Sequence, residues 1–128
     1  MPQYIMTRDI TSVADPFTCG YLTACAWADC NNDQEEGMEE AEFSSEFLER
    51  AIADCKRFQE ENAVLLEKTG ASAHRNGVDF WLTRQGHGAG FWDRGYGLVG
   101  DTLTQAAKAF PNIDCYLGDD GFIYGDQS

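Results

Sequence analysis

Residues 79–97 read DFWLTRQGHGAGFWDRGYG, a run that holds two Trp, two Phe, one Tyr and five Gly. Flat rings supply large apolar area, and glycine permits turns and close backbone approach that a side chain would block. How this stretch is read decides the fold. VDFWLTR at 78–84 is rich in aromatic and β-branched residues and reads as a strand. QGHGAG at 85–90 then reads as a turn and GFWDR at 90–94 as the returning strand. In that pleat Phe80, Leu82 and Arg84 share one face while Asp79, Trp81 and Thr83 share the other.

Outward from this ribbon, the clearest element is residues 45–68. Phe47, Ala51, Cys55, Phe58, Asn62 and Leu65/Leu66 follow steps of three and four, widened by Leu48 and Ile52. Glu46, Glu49, Arg50, Lys56, Arg57, Glu60 and Glu61 fill the other face, so the spacing predicts one long amphipathic helix. Ser44 or Ser45 caps its start and Gly70 its end. Residues 17–29 carry apolar side chains at short-helix spacing, with a strand as the alternative because of Gly20 and Thr23, and Asp101 begins a second short helix that Pro111 stops. IDCYL at 113–117 and FIY at 122–124 flank GDDG, a hairpin signal. Residues 1–15 read as an N-terminal arm or edge strand, and residues 30–43 as an acidic loop. The expected fold is α+β: a small antiparallel sheet of two hairpins packed on one long amphipathic helix and two shorter helices, in a single domain over 1–128. Phe80, Leu82, Phe91, Leu103, Phe110 and the helical stripe are its expected core.

The chain of 128 residues has a formal net charge of −13. Such a chain is repelled by nucleic acid and anionic membranes and drawn to basic protein surfaces. From Asp33 to Glu49 there are eight acids and no base. Five cysteines without a CxxC pair, no signal-peptide pattern and no apolar run of membrane-spanning length point to a reducing cytoplasm.

DFWLTRQGHGAGFWDR, followed by GDTLTQAAKAF and CYLGDDGFIY, resembles a widespread family of small bacteriophage-encoded proteins. ADCKRFQEEN and YLTACAW resemble further segments of that family, and the likeness spans roughly 17–124. The family commonly has Asn where this chain has Gln85. The resemblance implies an origin in phage and a place of action in the bacterial host cytoplasm. It brings no catalytic residues.

Two surfaces stand out as sites. Glu35, Glu36, Glu39, Glu40, Glu42, Glu46 and Glu49 array carboxylates that imitate nucleic-acid phosphates, which suits a non-catalytic accessory protein binding a basic host protein, such as a defence component. The same charges also serve a solvated helix face. The alternative is a ligand or enzyme pocket on the 79–97 ribbon, formed by Trp81, Arg84, His87, Trp92, Asp93 and Arg94. There Arg94 stacks on Trp81 and His87 titrates at the turn. A turn made of glycine for steric reasons, with Asp93 and Arg94 pairing structurally, is the plainer account of that sequence. Asp29, Asn31, Asp33, Glu35 and Glu40 fall at calcium-loop positions, but Gln34 and Glu36 break the pattern and make the match accidental. Asp114, Asp126 and GDDG suit a turn better than a metal pair. No metal, cofactor, nucleic-acid or membrane partner is expected. His74 and His87 have no cysteine or GxSxG beside them to suggest nucleophilic catalysis.

Overall fold

The computed structural model describes residues 4–6, 15–29, 42–117 and 122–127. Their elements run β1 (Tyr4–Met6), α1 (Pro16–Ala24) extended by a π turn (Cys25–Asp29), β2 (Glu42–Ser44), α2 (Ser45–Glu61), α3 (Ala63–Lys68), α4 (Ala73–Arg84), a 3-10 turn (Phe91–Asp93), α5 (Leu98–Lys108), β3 (Ile113–Leu117) and β4 (Phe122–Gln127). The class is α+β. The sheet has four strands in the order β1-β2-β4-β3. β1 pairs antiparallel with β2, β2 parallel with β4, and β3 antiparallel with β4. β3 and β4 pair antiparallel, as the expected second hairpin requires, and the GDDG connection lies outside the described residues; the sheet is mixed and not antiparallel as expected, because β4 also pairs parallel with β2.

The first hairpin does not exist. Residues 73–84 are a helix, 85–90 a loop, and 91–93 one 3-10 turn. The reason is visible at both ends of α4. Ser72 Oγ accepts the Arg75 N–H and caps the start. At the other end Gly86 N–H donates to Thr83 O and His87 N–H to Leu82 O, with Gly86 at φ 76°. This is a Schellman stop, in which glycine adopts the left-handed conformation that ends a helix. The aromatic residues before it therefore follow a period of 3.6.

Two glycines let α4 lie directly on α1. A Cβ at Gly77 would sit 1.8 Å from Phe17 O, and one at Gly20 would sit 2.0 Å from His74 O. With both side chains absent, the helix backbones touch, and neighbouring rings interdigitate. Phe80 stacks on Phe58 at 4.1 Å and packs against Phe17, Tyr21 and Phe110. Trp81 meets Tyr21 edge-on. Phe91 closes the stack on Phe58. Leu82, Leu103 and Phe110 are also buried, as the sequence suggested.

The long helix is broken. Asn62 separates α2 from α3 with φ −127°, and its side-chain amide donates to Phe58 O at 2.9 Å. That bond competes with the helical ladder, a habit of Asn. Phe47, Ala51, Cys55 and Phe58 are buried as their spacing predicted, but Leu65 and Leu66 only partly. α5 starts earlier than expected, at Leu98, so that Asp101 lies in its first turn instead of capping it. β2 is a strand that the acidic composition concealed.

Ala replacing Gly77 is expected to cost about 3 kcal/mol, because the added methyl meets backbone that cannot rotate away; urea unfolding measures this. Asp15, the cap of α1, gives a pH-dependent counterpart. Burial raises its pKa, but hydrogen bonds from Thr18 and Gln59 outweigh that and hold it below the ordinary carboxylate range. A depressed folded pKa stabilises above the unfolded value and loses that contribution as pH falls through the folded value. Asp15→Ala is therefore expected to cost about 1 kcal/mol at neutral pH, with a gap to the parent that narrows in acid.

Candidate functional site

The residues singled out in 79–97 divide into those turned inward and those turned outward. Trp81 is fully buried, and its indole N–H donates to Asp29 Oδ2 at 2.5 Å. Arg84 is buried too. Its Nε donates to Pro111 O at 2.7 Å, and its Nη1 to Tyr21 Oη and to Asp54 Oδ2 at 3.1 and 2.8 Å. Its Nη2 has no hydrogen-bond partner among the described residues, and the guanidinium lies over the Phe110 ring, a contact that partly offsets its desolvation. Arg94 does not stack on Trp81 as expected; it grips the buried Asp79 through Nε and Nη2, the latter at 2.7 Å. That hydrogen-bonded carboxylate raises the Arg94 pKa further. Trp92 and Asp93 are exposed, and His87 is half-buried.

His87 Nε2 faces both oxygens of Asp29 at 3.1 and 3.0 Å. An ionised carboxylate only accepts, so this nitrogen carries the proton. The π turn that follows α1 brings Asp29 to this place. Asp29 is thus shared between the Trp81 and His87 donors, and the calcium-loop pattern loses its first position to them. The other positions of that pattern lie outside the described residues. Asp114 and Asp126 occupy opposing register positions of β3 and β4. Among the described residues no group of three or more His, Cys, Asp or Glu side chains converges as a metal site. No described helix is long and apolar enough to cross a membrane.

The thiols follow their burial. Burial pushes the Cys55 thiol well above its ordinary pKa and holds the Tyr21 phenol neutral. Cys25 lies 4.0 Å from Cys115, sulfur to sulfur. Cys55 is therefore core, consistent with its place on the helical stripe.

Of the acidic set, Glu35, Glu36, Glu39 and Glu40 lie outside the described residues, Glu42 begins β2, and Glu46 and Glu49 are exposed on the first turns of α2. An open cavity lies elsewhere than the aromatic segment. It measures about 530 Å³ and opens where β2 gives way to α2, between Glu46, Phe47 and Arg50 on one side and Tyr116, Tyr124 and Gly125 on the other. The two tyrosines are cross-strand partners with nearly parallel rings 5.6 Å apart. Sequence reasoning did not find this cleft, because its walls come from distant segments whose only local signal was the paired tyrosines flanking a turn. Comparison of the chain with protein-family models, curated proteins and solved structures gives no match.

Removing Asp54 leaves the Arg84 guanidinium buried without a counter-charge. Asp54→Ala is expected to cost about 3–5 kcal/mol, and adding Arg84→Met to recover much of it. Denaturant midpoints of the parent, both single variants and the double variant check this; simple additivity contradicts it.

Proposed function

We propose that this protein is a non-catalytic phage accessory protein that works by binding the basic surface of a host protein, in the manner of a nucleic-acid mimic. A nuclease or other defence component with a phosphate-binding groove is the class of partner it suits. The observation that carries the reading is where the few cations go. Lys56 and Arg57 pair with Glu60 and Glu61, Arg84 with Asp54, and Arg75 and Arg94 with Asp79. Arg84 and Arg94, drawn in against Asp54 and Asp79, are poor neutralisers of the remaining surface. The exposed Lys56 and Arg57 are each matched by a neighbouring glutamate, which leaves Arg50, Lys68 and Lys108 as the exposed cations with no ion pair among the described residues. Glu46 and Glu49 stand exposed at the start of α2 with no ion pair among the described residues, directly after the acidic 33–42 sequence. A surface of that sign accelerates encounter with a basic partner and selects against nucleic acid and anionic lipid.

One observation favours a second reading, a ligand or enzyme site within 79–97. The His87–Asp29 pair is partly accessible, with His87 33% and Asp29 22% exposed as side chains, and a carboxylate-oriented imidazole is the usual arrangement of a general base. On that reading His87 and Asp29 are joined by Trp92, Asp93 and Arg94, while Trp81 and Arg84 support from the core.

The first reading is tested by immobilising the protein and passing host lysate over it. A basic protein is expected to be retained, to elute with moderate salt, and to be lost when Glu35, Glu36, Glu39, Glu40 and Glu49 are all changed to Gln. Retention that ignores both salt and these changes sinks it. His87→Ala is expected to leave retention unchanged; loss of capture by the folded His87→Ala protein favours the second reading.

A further inference from the structure

We propose that the cleft between the start of α2 and the β3–β4 ribbon binds a small zwitterion bearing a planar ring, with free aromatic amino acids as its chemical class. The inference goes beyond the acidic-surface reading, with which it shares only Glu46, and it starts from an anomaly on α2. Glu46 and Arg50 are spaced i,i+4 with the acid first, the orientation that pairs best on a helix. They nevertheless form no ion pair with each other or with any other described residue. Further along the same helix, Lys56–Glu60 and Arg57–Glu61 do pair, although their order is the less favourable one. The unpaired acid and base both line the cavity. A carboxylate and a guanidinium spaced i,i+4 on one wall of the cavity, neither in an ion pair among the described residues, are complementary to a ligand that carries an ammonium and a carboxylate together.

The opposite wall supplies the apolar part. Tyr116 and Tyr124 present nearly parallel rings, and Tyr116 is half exposed at 50%. Phe47 adds a third ring. Gly125 lets β4 lie close against Ile113 and Phe47, two other lining residues: a Cβ there would sit 2.8 Å from Ile113 Cγ2 and 3.7 Å from Phe47. Stacked or edge-on ring contact adds about 0.5–1.5 kcal/mol beyond area burial. The volume of about 530 Å³ falls in the ordinary range for small-molecule sites.

Charge narrows the class. With a net charge of −13, the molecule repels a simple anion at long range. A simple cation is attracted at long range but meets Arg50 at the site. A molecule with no net charge and two opposite ends enters without the first penalty and satisfies both side chains. An α-amino acid with a flat side chain has that form. A peptide lacks it, since chain linkage removes one of the two charges from each terminal residue.

Calorimetric titration with L-tryptophan tests the proposal, with tryptamine, indole-3-propionate and indole as ligands lacking one or both charges. Tryptophan is expected to bind saturably, and each of the other three at least about tenfold more weakly, which corresponds to about 1.4 kcal/mol. Arg50→Gln and Tyr116→Ala, both at exposed positions, are each expected to weaken tryptophan about tenfold while circular dichroism shows an unchanged fold. Amide shifts on titration are expected to centre on Glu46, Arg50 and Tyr116. Absence of saturable binding at millimolar tryptophan overturns the proposal. So does indole binding as tightly as tryptophan, or an affinity unmoved by both substitutions. Host-protein capture by the acidic surface does not use Tyr116, so Tyr116→Ala separates the two readings: it is expected to lose tryptophan and to keep the captured protein.

Discussion

Backbone contact between α1 and α4 is the constraint from which the rest of the structure follows. At Gly20 and Gly77 there is no room for even a methyl group, so the crossing is fixed in position by sterics. That distance decides which side chains can reach across. Tyr21 meets Phe80 and Trp81, Phe17 meets Phe58 and Phe80, and Arg84 reaches Asp54 on α2. The π turn continues α1 just far enough for Asp29 to meet Trp81 and His87. A wider crossing breaks all of these together, since interiors packed at crystal-like density do not absorb a shift of a methyl's width.

The parts of this fold that were legible in the sequence are those with two unlike faces. α2 shows a polar side and an apolar side, so its periodicity could be read to within a residue at its start. α4 has no such contrast. Asn76, Gly77 and every residue from Asp79 to Arg84 are buried, and a helix covered on nearly all sides gives no amphipathic stripe. Its Phe, Trp, Val and Thr are also the residues that favour strands, and tertiary burial overrode that preference. The correct signals were present in Ser72 and Gly86, which mark a start and a stop, but glycine in a GHG run reads equally well as a hairpin turn. The 45–68 stripe broke at Asn62 because a side-chain amide can compete with the backbone, which spacing does not register.

The site residues fared similarly. Arg84 and Arg94 were picked out for their chemistry, yet their partners, Asp54 and Asp79, came from positions that charge counting treats as solvent-facing. A pairing between residues thirty positions apart leaves no trace in composition. Arg84 is the cation that joins two helices, α4 to α2 through Asp54, and its Nε also reaches Pro111 O just ahead of β3. Arg94 ties the segment after the 3-10 turn back to α4. Arg50, like Lys68 and Lys108, stays outside and free of an ion pair among the described residues.

Gln85 has an effect that its place just past α4 conceals. Its side-chain amide donates to Ile113 O at 2.7 Å and accepts from Ile113 N–H at 2.9 Å, so one side chain makes both bonds that a neighbouring peptide group would make. Ile113 opens β3, the outermost strand on that side of the sheet. Bare strand margins recruit other chains into intermolecular ladders, and here a surrogate peptide bond pre-empts the first rung. Shortening this side chain by one methylene withdraws the amide from Ile113 and leaves that margin open to self-association.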